Sequence, residues 1–244
     1  MNKKIILSSF ASLLFLSQAA NAEIKMGSVT ATPGIMYQTN YVGEFTGVTT
    51  NRTKPSYGVD LNLAHESGIY LYNAYREKRN YPDSSNVSSY GTFDFELCSV
   101  LGFAKSASSI NLDVSYENCH VDSKTEQNTG TYYFRVNTDV NKQLNIGAAY
   151  ALDTTDAAKS GTQKYLKDAY KFFGTYDLGF AKSTLTYATS DNFTNFLSLG
   201  INKDYMGLNF DLTAYKVEAE GWLNTASPGF YERDLLVLSV KKTF

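Results

Sequence analysis

Few residues in this 244-residue chain could carry covalent chemistry. It holds two histidines, His65 and His120, and two cysteines, Cys98 and Cys119. Acid–base or nucleophilic catalysis needs a titrating group beside an acid, a serine or a thiol. His120 with Asp122 is the one local arrangement of that kind, and its polar surroundings make it part of a solvated loop. Asp113 and Glu117 share one face of a strand-like segment, with Asp94 and Glu96 on the segment before it. A pair of facing carboxylates is what a glycoside hydrolase uses, but rows of acids on one strand face are more commonly the wall of an aqueous interior. Cys119-His120-Val121-Asp122 offers too few convergent ligands for a metal centre. No catalytic, cofactor or metal site is therefore expected, and an outer-membrane hydrolase is the least favoured of three functions.

The elements that would position these residues are strands. Short runs alternate apolar and polar residues with period two, and a 3.6-residue period is almost absent. Twelve segments qualify: 28–38, 56–64, 69–77, 90–99, 109–118, 131–140, 144–152, 168–178, 181–189, 196–202, 208–215 and 231–244. The segment from Ser109 is typical, with Ile110, Leu112, Val114 and Tyr116 against Asn111, Asp113, Ser115 and Glu117. Roughly ten residues per strand suits a tilted strand crossing a membrane.

The connections alternate in length. Stretches 39–55, 78–89, 119–130, 153–166 and 217–230 are long and polar. Those between them, such as His65-Glu66-Ser67-Gly68 and Asn141-Lys142, are short. Val100–Ser108 breaks the pattern as a long turn where a short one is due, and 190–195 as a short loop where a long one is due. Pro33 removes a ladder hydrogen bond from the first strand, which predicts a later start or a bulge there. Sorting loops by parity is the asymmetry of outer-membrane barrels, with short periplasmic turns and longer outer loops. Tyrosines, 19 in all, recur near the predicted outer strand ends: Tyr37, Tyr57, Tyr75, Tyr116, Tyr132, Tyr150, Tyr170 and Tyr187. Rings at headgroup level keep their bodies apolar and their hydroxyls wet. Phe103, Tyr176, Phe180, Tyr205 and Phe244 supply a second, inner girdle.

The leading residues mark the address. Lys3 and Lys4 precede an apolar stretch from Ile5 to Leu16, and Ala20-Asn21-Ala22 is a small-x-small cleavage site. Residues 1–22 are thus expected to be a signal peptide and 23–244 a single barrel domain in the bacterial outer membrane. Without Lys3 and Lys4, 20 basic residues face 24 acidic ones, and no basic stripe suggests nucleic acid. After Ala22 no apolar run is long enough for a spanning helix.

The last strand, Asp234 to Phe244, places Leu236, Leu238, Val240 and Phe244 on one face and ends in an aromatic residue. It resembles the signal read by the outer-membrane barrel assembly machinery, with Lys242 where an apolar residue is usual. In the first third, Tyr37-Gln38-Thr39-Asn40-Tyr41, Pro55-Ser56-Tyr57-Gly58-Val59-Asp60 and His65-Glu66-Ser67-Gly68-Ile69-Tyr70 resemble the TorF-type porin family. That resemblance implies a barrel and a channel.

The fold expected is all-β: a transmembrane antiparallel up-and-down barrel of about twelve strands. If the apolar parity meets lipid, the other parity lines the lumen. The lumen set is then Asp60, Asp94, Glu96, Asp113, Glu117, Arg135, Asp139, Lys171, Asp177, Lys182, Asp211 and Lys241. Its acids outnumber its bases, which predicts weak cation preference; pairing of acids with bases to brace a closed barrel is the rival expectation. The function expected is passive diffusion of ions or small hydrophilic solutes, with outer-membrane lipid and the assembly machinery as partners. The alternative is a non-conducting barrel with an adhesive or structural role. Cys98 and Cys119 fall at opposite ends of adjacent predicted strands, ~30 Å apart at ~3.3 Å per residue, which predicts two unbridged thiols.

Overall fold

A computed structural model describes residues 23–39, 55–78, 94–122, 127–154, 168–190, 194–219 and 233–244. They form thirteen strands: β1 (Ile24–Met26), β2 (Val29–Gln38), β3 (Ser56–His65), β4 (Ile69–Lys78), β5 (Asp94–Ala107), β6 (Ile110–Asp122), β7 (Gln127–Asp139), β8 (Leu144–Asp153), β9 (Ala169–Asp177), β10 (Lys182–Ser190), β11 (Thr194–Tyr205), β12 (Leu208–Ala219) and β13 (Arg233–Thr243). Each strand pairs antiparallel with its neighbours in sequence, and β13 returns to pair with β2. Strands β2 to β13 thereby close a twelve-stranded up-and-down barrel. Among the described residues no helix is long and apolar enough to cross a membrane. The leading residues 1–22 and most of the expected long connections lie outside the described residues.

Period-two alternation decides which side chains face which way. On β3, Tyr57, Val59 and Leu61 are exposed; on β6, Leu112 and Val114; on β7, Tyr132, Phe134 and Val136. The same holds on β5 for Leu97, Leu101 and Phe103, and on β11 for Leu197, Leu199 and Ile201. An apolar belt of this size facing outward has no partner among the described residues, as expected of a sheet whose solvent is lipid. The tyrosines of one end stand in register with one another on this face. Tyr37 packs on Tyr57 with ring centroids 5.3 Å apart, Tyr116 on Tyr132 at 4.8 Å, and Tyr150 on Tyr170 at 5.1 Å.

Pro33 neither delays β2 nor bulges it. Its carbonyl accepts from the Phe244 amide at 2.9 Å, so its nitrogen faces the β13 side. There β13 has just ended, and the missing N–H breaks no rung. Beyond that point β1, which the periodicity does not predict, covers the β2 edge by pairing with Val29–Ala31.

Two expectations are overturned together. Val100–Ser108 is not a turn: β5 continues to Ala107, and only Ser108 and Ser109 connect it to β6, with Ser108 at φ 58°. Likewise, the expected 119–130 loop is largely strand, since β6 extends to Asp122 and β7 begins at Gln127. The outward series Leu97, Leu101, Phe103 keeps its period through this region, but Ser99 interrupts it and the inward Gly102 and Ala104 supply no polar contrast. With the strands lengthened, Cys98 and Cys119 become direct cross-strand partners, Cα–Cα 4.0 Å, and form a disulfide. The two thiols are therefore bridged, not free.

Peptide mapping under non-reducing conditions should recover Cys98 and Cys119 in one crosslinked fragment. Reducing the bridge should lower unfolding stability by about 2–4 kcal/mol, the loss typical of a native disulfide, as read from denaturant midpoints with and without reductant.

Candidate functional site

The candidate site is the inward wall of the barrel. On a closed cylinder outward side chains diverge and inward ones converge, so only the concave face can join strands that are not neighbours. Among the described residues, one hydrogen bond and one ion pair do so. Tyr70 on β4 reaches past β5 and donates to Asp113 Oδ2 on β6 at 2.8 Å. Asp60 on β3 reaches past β2 to the Lys241 ammonium on β13 at 3.0 Å. Each crosses a glycine. A Cβ on Gly102 would run into the Tyr70 ring, and one on Gly34 would sit 2.5 Å from Asp60 Oδ1. The polar parity is thus the inner one.

Most of the acids and bases on this wall hold one another. Arg135 Nη1 donates to Asp113 Oδ1 at 3.1 Å and to Ser115 Oγ at 3.1 Å, and its guanidinium lies 4.4 Å from the Tyr133 ring centroid. Tyr133 in turn donates to Glu117 Oε1 at 2.8 Å. One network therefore ties β4, β6 and β7 through Tyr70, Asp113, Ser115, Arg135, Tyr133 and Glu117. Asp60, with its side chain only 7% exposed, is matched by Lys241. A buried carboxylate of this kind needs a partner, because desolvation otherwise forces it neutral.

The remaining predicted residues are spread around the wall. Glu96 is buried beside the disulfide. Asp139 accepts from Asn145 Nδ2 at 2.8 Å. Asp177 is in register with Lys182 and accepts from the Gly179 amide at 2.7 Å, closing the β9–β10 turn. Asp211 accepts from Thr213 Oγ1 at 2.6 Å. Lys171 lies 5.8 Å from the Phe173 ring centroid and between Ala149 and Ala188 in register. Asp94 is in register with Lys78 at one end of β5; its side chain lies outside the described residues.

Residue type alone does not single out several important members of this wall. Asn111, Asn137, Asn145 and Asp139 form an amide ladder across β6, β7 and β8. Asn202 and Asn209 exchange two hydrogen bonds, at 2.8 and 3.0 Å, and Asn209 also donates to Asp204. Both sets lie near the turns that join short connections. Small side chains occupy the other half: Ala74, Ala149, Ala151, Ala169, Ala188, Ser190 and Thr194 are all buried. The signal for the ladders was parity, since each amide shares the face of the charged residues.

Neither histidine joins this wall. His120 is exposed and has outward parity on β6. His65 fastens the β3–β4 turn, with Nε2 2.8 Å from Ser28 Oγ and Nδ1 2.8 Å from Ser67 Oγ. The interior carboxylates accordingly have tyrosine, arginine, lysine and amide partners. At the end of β13, Leu236 is exposed, while Val240 lies between Phe210 and Tyr37 in register. Lys242, the departure from an apolar terminal face, is buried with its ammonium 5.7 Å from the Phe244 ring centroid.

No family model matches the chain, and no curated protein matches its sequence. Solved structures do match its shape. A KdgM porin superposes with a TM-score of 0.56 over 87% of this chain and 99% of that one, at 9% identity. A KdgM porin in complex with disordered oligogalacturonate gives 0.52 over 88% and 98%, at 8% identity. A Rhodopseudomonas blastica porin variant matches at 0.40 and 11% identity over 89% and 99%, too loosely to argue from. The chain thus shares the fold of the KdgM porin structures, as a closed antiparallel barrel of twelve strands. At these identities the likeness concerns architecture alone.

Replacing Asp113 with alanine leaves Arg135 and Tyr70 facing a missing acceptor. The substitution should cost about 2–4 kcal/mol, the penalty for orphaning one member of a partly buried charged network. The double variant Asp113→Ala/Arg135→Ala should recover part of that loss; urea unfolding in lipid vesicles measures both.

Proposed function

We propose that this protein is an outer-membrane channel for passive diffusion of ions and small hydrophilic solutes, with weak preference for cations. The observation that carries this reading is the inner wall itself: a closed barrel whose concave face is lined by carboxylates, amides, tyrosines and paired bases. Water is the natural solvent for such a face, and charged rings on a wet wall bias which ions enter. Among the described inward side chains, Asp60 is matched by Lys241 and Asp113 by Arg135. The same face also carries the six acids Glu96, Glu117, Asp139, Asp177, Asp204 and Asp211 and the three bases Arg76, Lys171 and Lys182. The sign that remains is negative. One porin of similar fold is in complex with disordered oligogalacturonate; an acidic wall favours cations or neutral solutes over so anionic a sugar.

The address belongs to the same proposal. Residues 1–22 act as a cleaved signal peptide. The outward apolar belt then meets outer-membrane lipid, and Leu236, Leu238, Val240 and Phe244 present the closing strand to the barrel assembly machinery. The TorF-type resemblance of the first third supports the channel reading, since its Ser56–Asp60 stretch is the β3 segment that sends Asp60 inward.

Purified barrel in planar bilayers should give discrete conductance steps. In a KCl gradient the reversal potential should take the sign of cation flow, with potassium more permeant than chloride. Glu117→Gln with Asp113→Asn should move that reversal potential toward zero, because the described inward acids then exceed the bases by one and not by three. Absence of steps, or anion selectivity in the unmodified protein, would overturn the proposal.

A further inference from the structure

The disulfide sits in a chemical setting that a bracing function does not use. Cys98 and Cys119 are buried on the inner wall, and Glu96, two residues before Cys98 on the same face, is buried beside them. The two sulfurs and a Glu96 carboxylate oxygen all lie within 4.8 Å of one another. We propose that reduction of this bridge turns the three residues into a binding site for a soft divalent cation of the zinc or cadmium class. The inference needs the barrel's register and not its conduction.

Two equivalents of a small thiol reductant pass two electrons to the Cys98–Cys119 bond. The products are two protein thiols and one oxidised reductant disulfide. A divalent cation then binds both sulfurs as thiolates and releases two protons to solvent. Glu96 supplies an oxygen as the third ligand, and water completes a tetrahedron. Two sulfurs each ~2.3 Å from a zinc ion stand about 3.8 Å apart in that geometry, a separation that adjacent strands meet by side-chain rotation. Thiolate is the ligand that selects such metals over calcium or magnesium.

Two features of the register favour the site. Cys98 and Cys119 are partners on a continuous antiparallel ladder, thirteen rungs from Phe95↔Asp122 to Ala107↔Ile110, so the loss of one covalent bond leaves the sulfurs facing each other. Arg76 is the register partner of Glu96 on β4, with the same inward parity. Its single positive charge offsets the surplus of two thiolates and a carboxylate over a divalent cation, leaving the loaded site formally neutral. Hard oxygen-only sites elsewhere on the wall, such as Asp139 with its amides, lack any soft donor.

The test uses the full mature barrel, folded into detergent or lipid under reductant, with two free thiols confirmed by thiol titration of a denatured aliquot. Cadmium is the probe, because cadmium–thiolate bonds absorb in the ultraviolet. The reduced protein should show a saturable absorbance at one cadmium per chain, and the oxidised protein none. Cys98→Ser should abolish the signal. Glu96→Gln should weaken affinity at least about tenfold, the lower end of what even an outer-shell partner contributes. Heat-modified gel mobility confirms that each variant is folded. No binding by the folded reduced protein, equal binding by the oxidised protein, or unchanged affinity in Glu96→Gln would each overturn the site. If the reduced chain folds only when cadmium is added, the site is supported; if it fails to fold with or without cadmium, the site is overturned.

Discussion

Closure of the hydrogen-bonded ladder is the constraint on which the rest of the structure depends. In lipid every backbone N–H and C=O must find a partner within the chain, and an open sheet would leave two edges bare. Here the seam joins residues some 200 positions apart: Gln38 Nε2 donates to Ser239 Oγ, and the Leu238 amide to Thr39 Oγ1. The five backbone pairs from Ser239↔Gln38 to Thr243↔Gly34 are far fewer than the ten between β2 and β3. Bringing such distant segments together costs loop-closure entropy before any contact repays it. The other hairpins carry only local costs, so the seam is the one pairing that needs the whole circumference in place.

Once the ring is closed, the inner face has a geometric problem of its own. Twelve strands point alternate side chains into a confined space, and many of those side chains are charged. The structure resolves this by omitting side chains at Gly34 and Gly102 and letting longer neighbours lie across the gaps. The Asp60–Lys241 and Tyr70–Asp113 contacts both depend on such an omission. Bulk missing from one strand thereby becomes polar connection between the two beside it. Pairing and lining, the rival expectations for the charged residues, turn out to be compatible: some acids brace the wall, and others leave it negative.

The legible part of this molecule was the part governed by period two. Strand identity, the outward apolar belt, the tyrosine girdle and the inward parity of Asp113 and Arg135 all follow from alternation. What alternation could not supply was where a strand stops when its contrast fades. At Ser99, Gly102 and Ala104 the pattern weakens, and a turn was expected where β5 in fact runs on to Ala107. That one misplacement put Cys98 at the turn end of its hairpin, where the structure has it on the fourth rung from the open end, and hid its partner. The cross-barrel links were illegible for another reason. They join residues such as Asp60 and Lys241 whose proximity is a property of the closed ring, and no local window contains both.

The short strand β1 changes how the seam should be regarded. Because β13 ends at Thr243, the described residues offer the stretch Val29–Ala31 of β2 no neighbour on that side except β1. Strands β1 and β13 therefore share one rail of β2, and Pro33 marks the border between them. In this register β13 could not run further along β2 without displacing β1, so the two strands together set where the barrel wall stops at this corner.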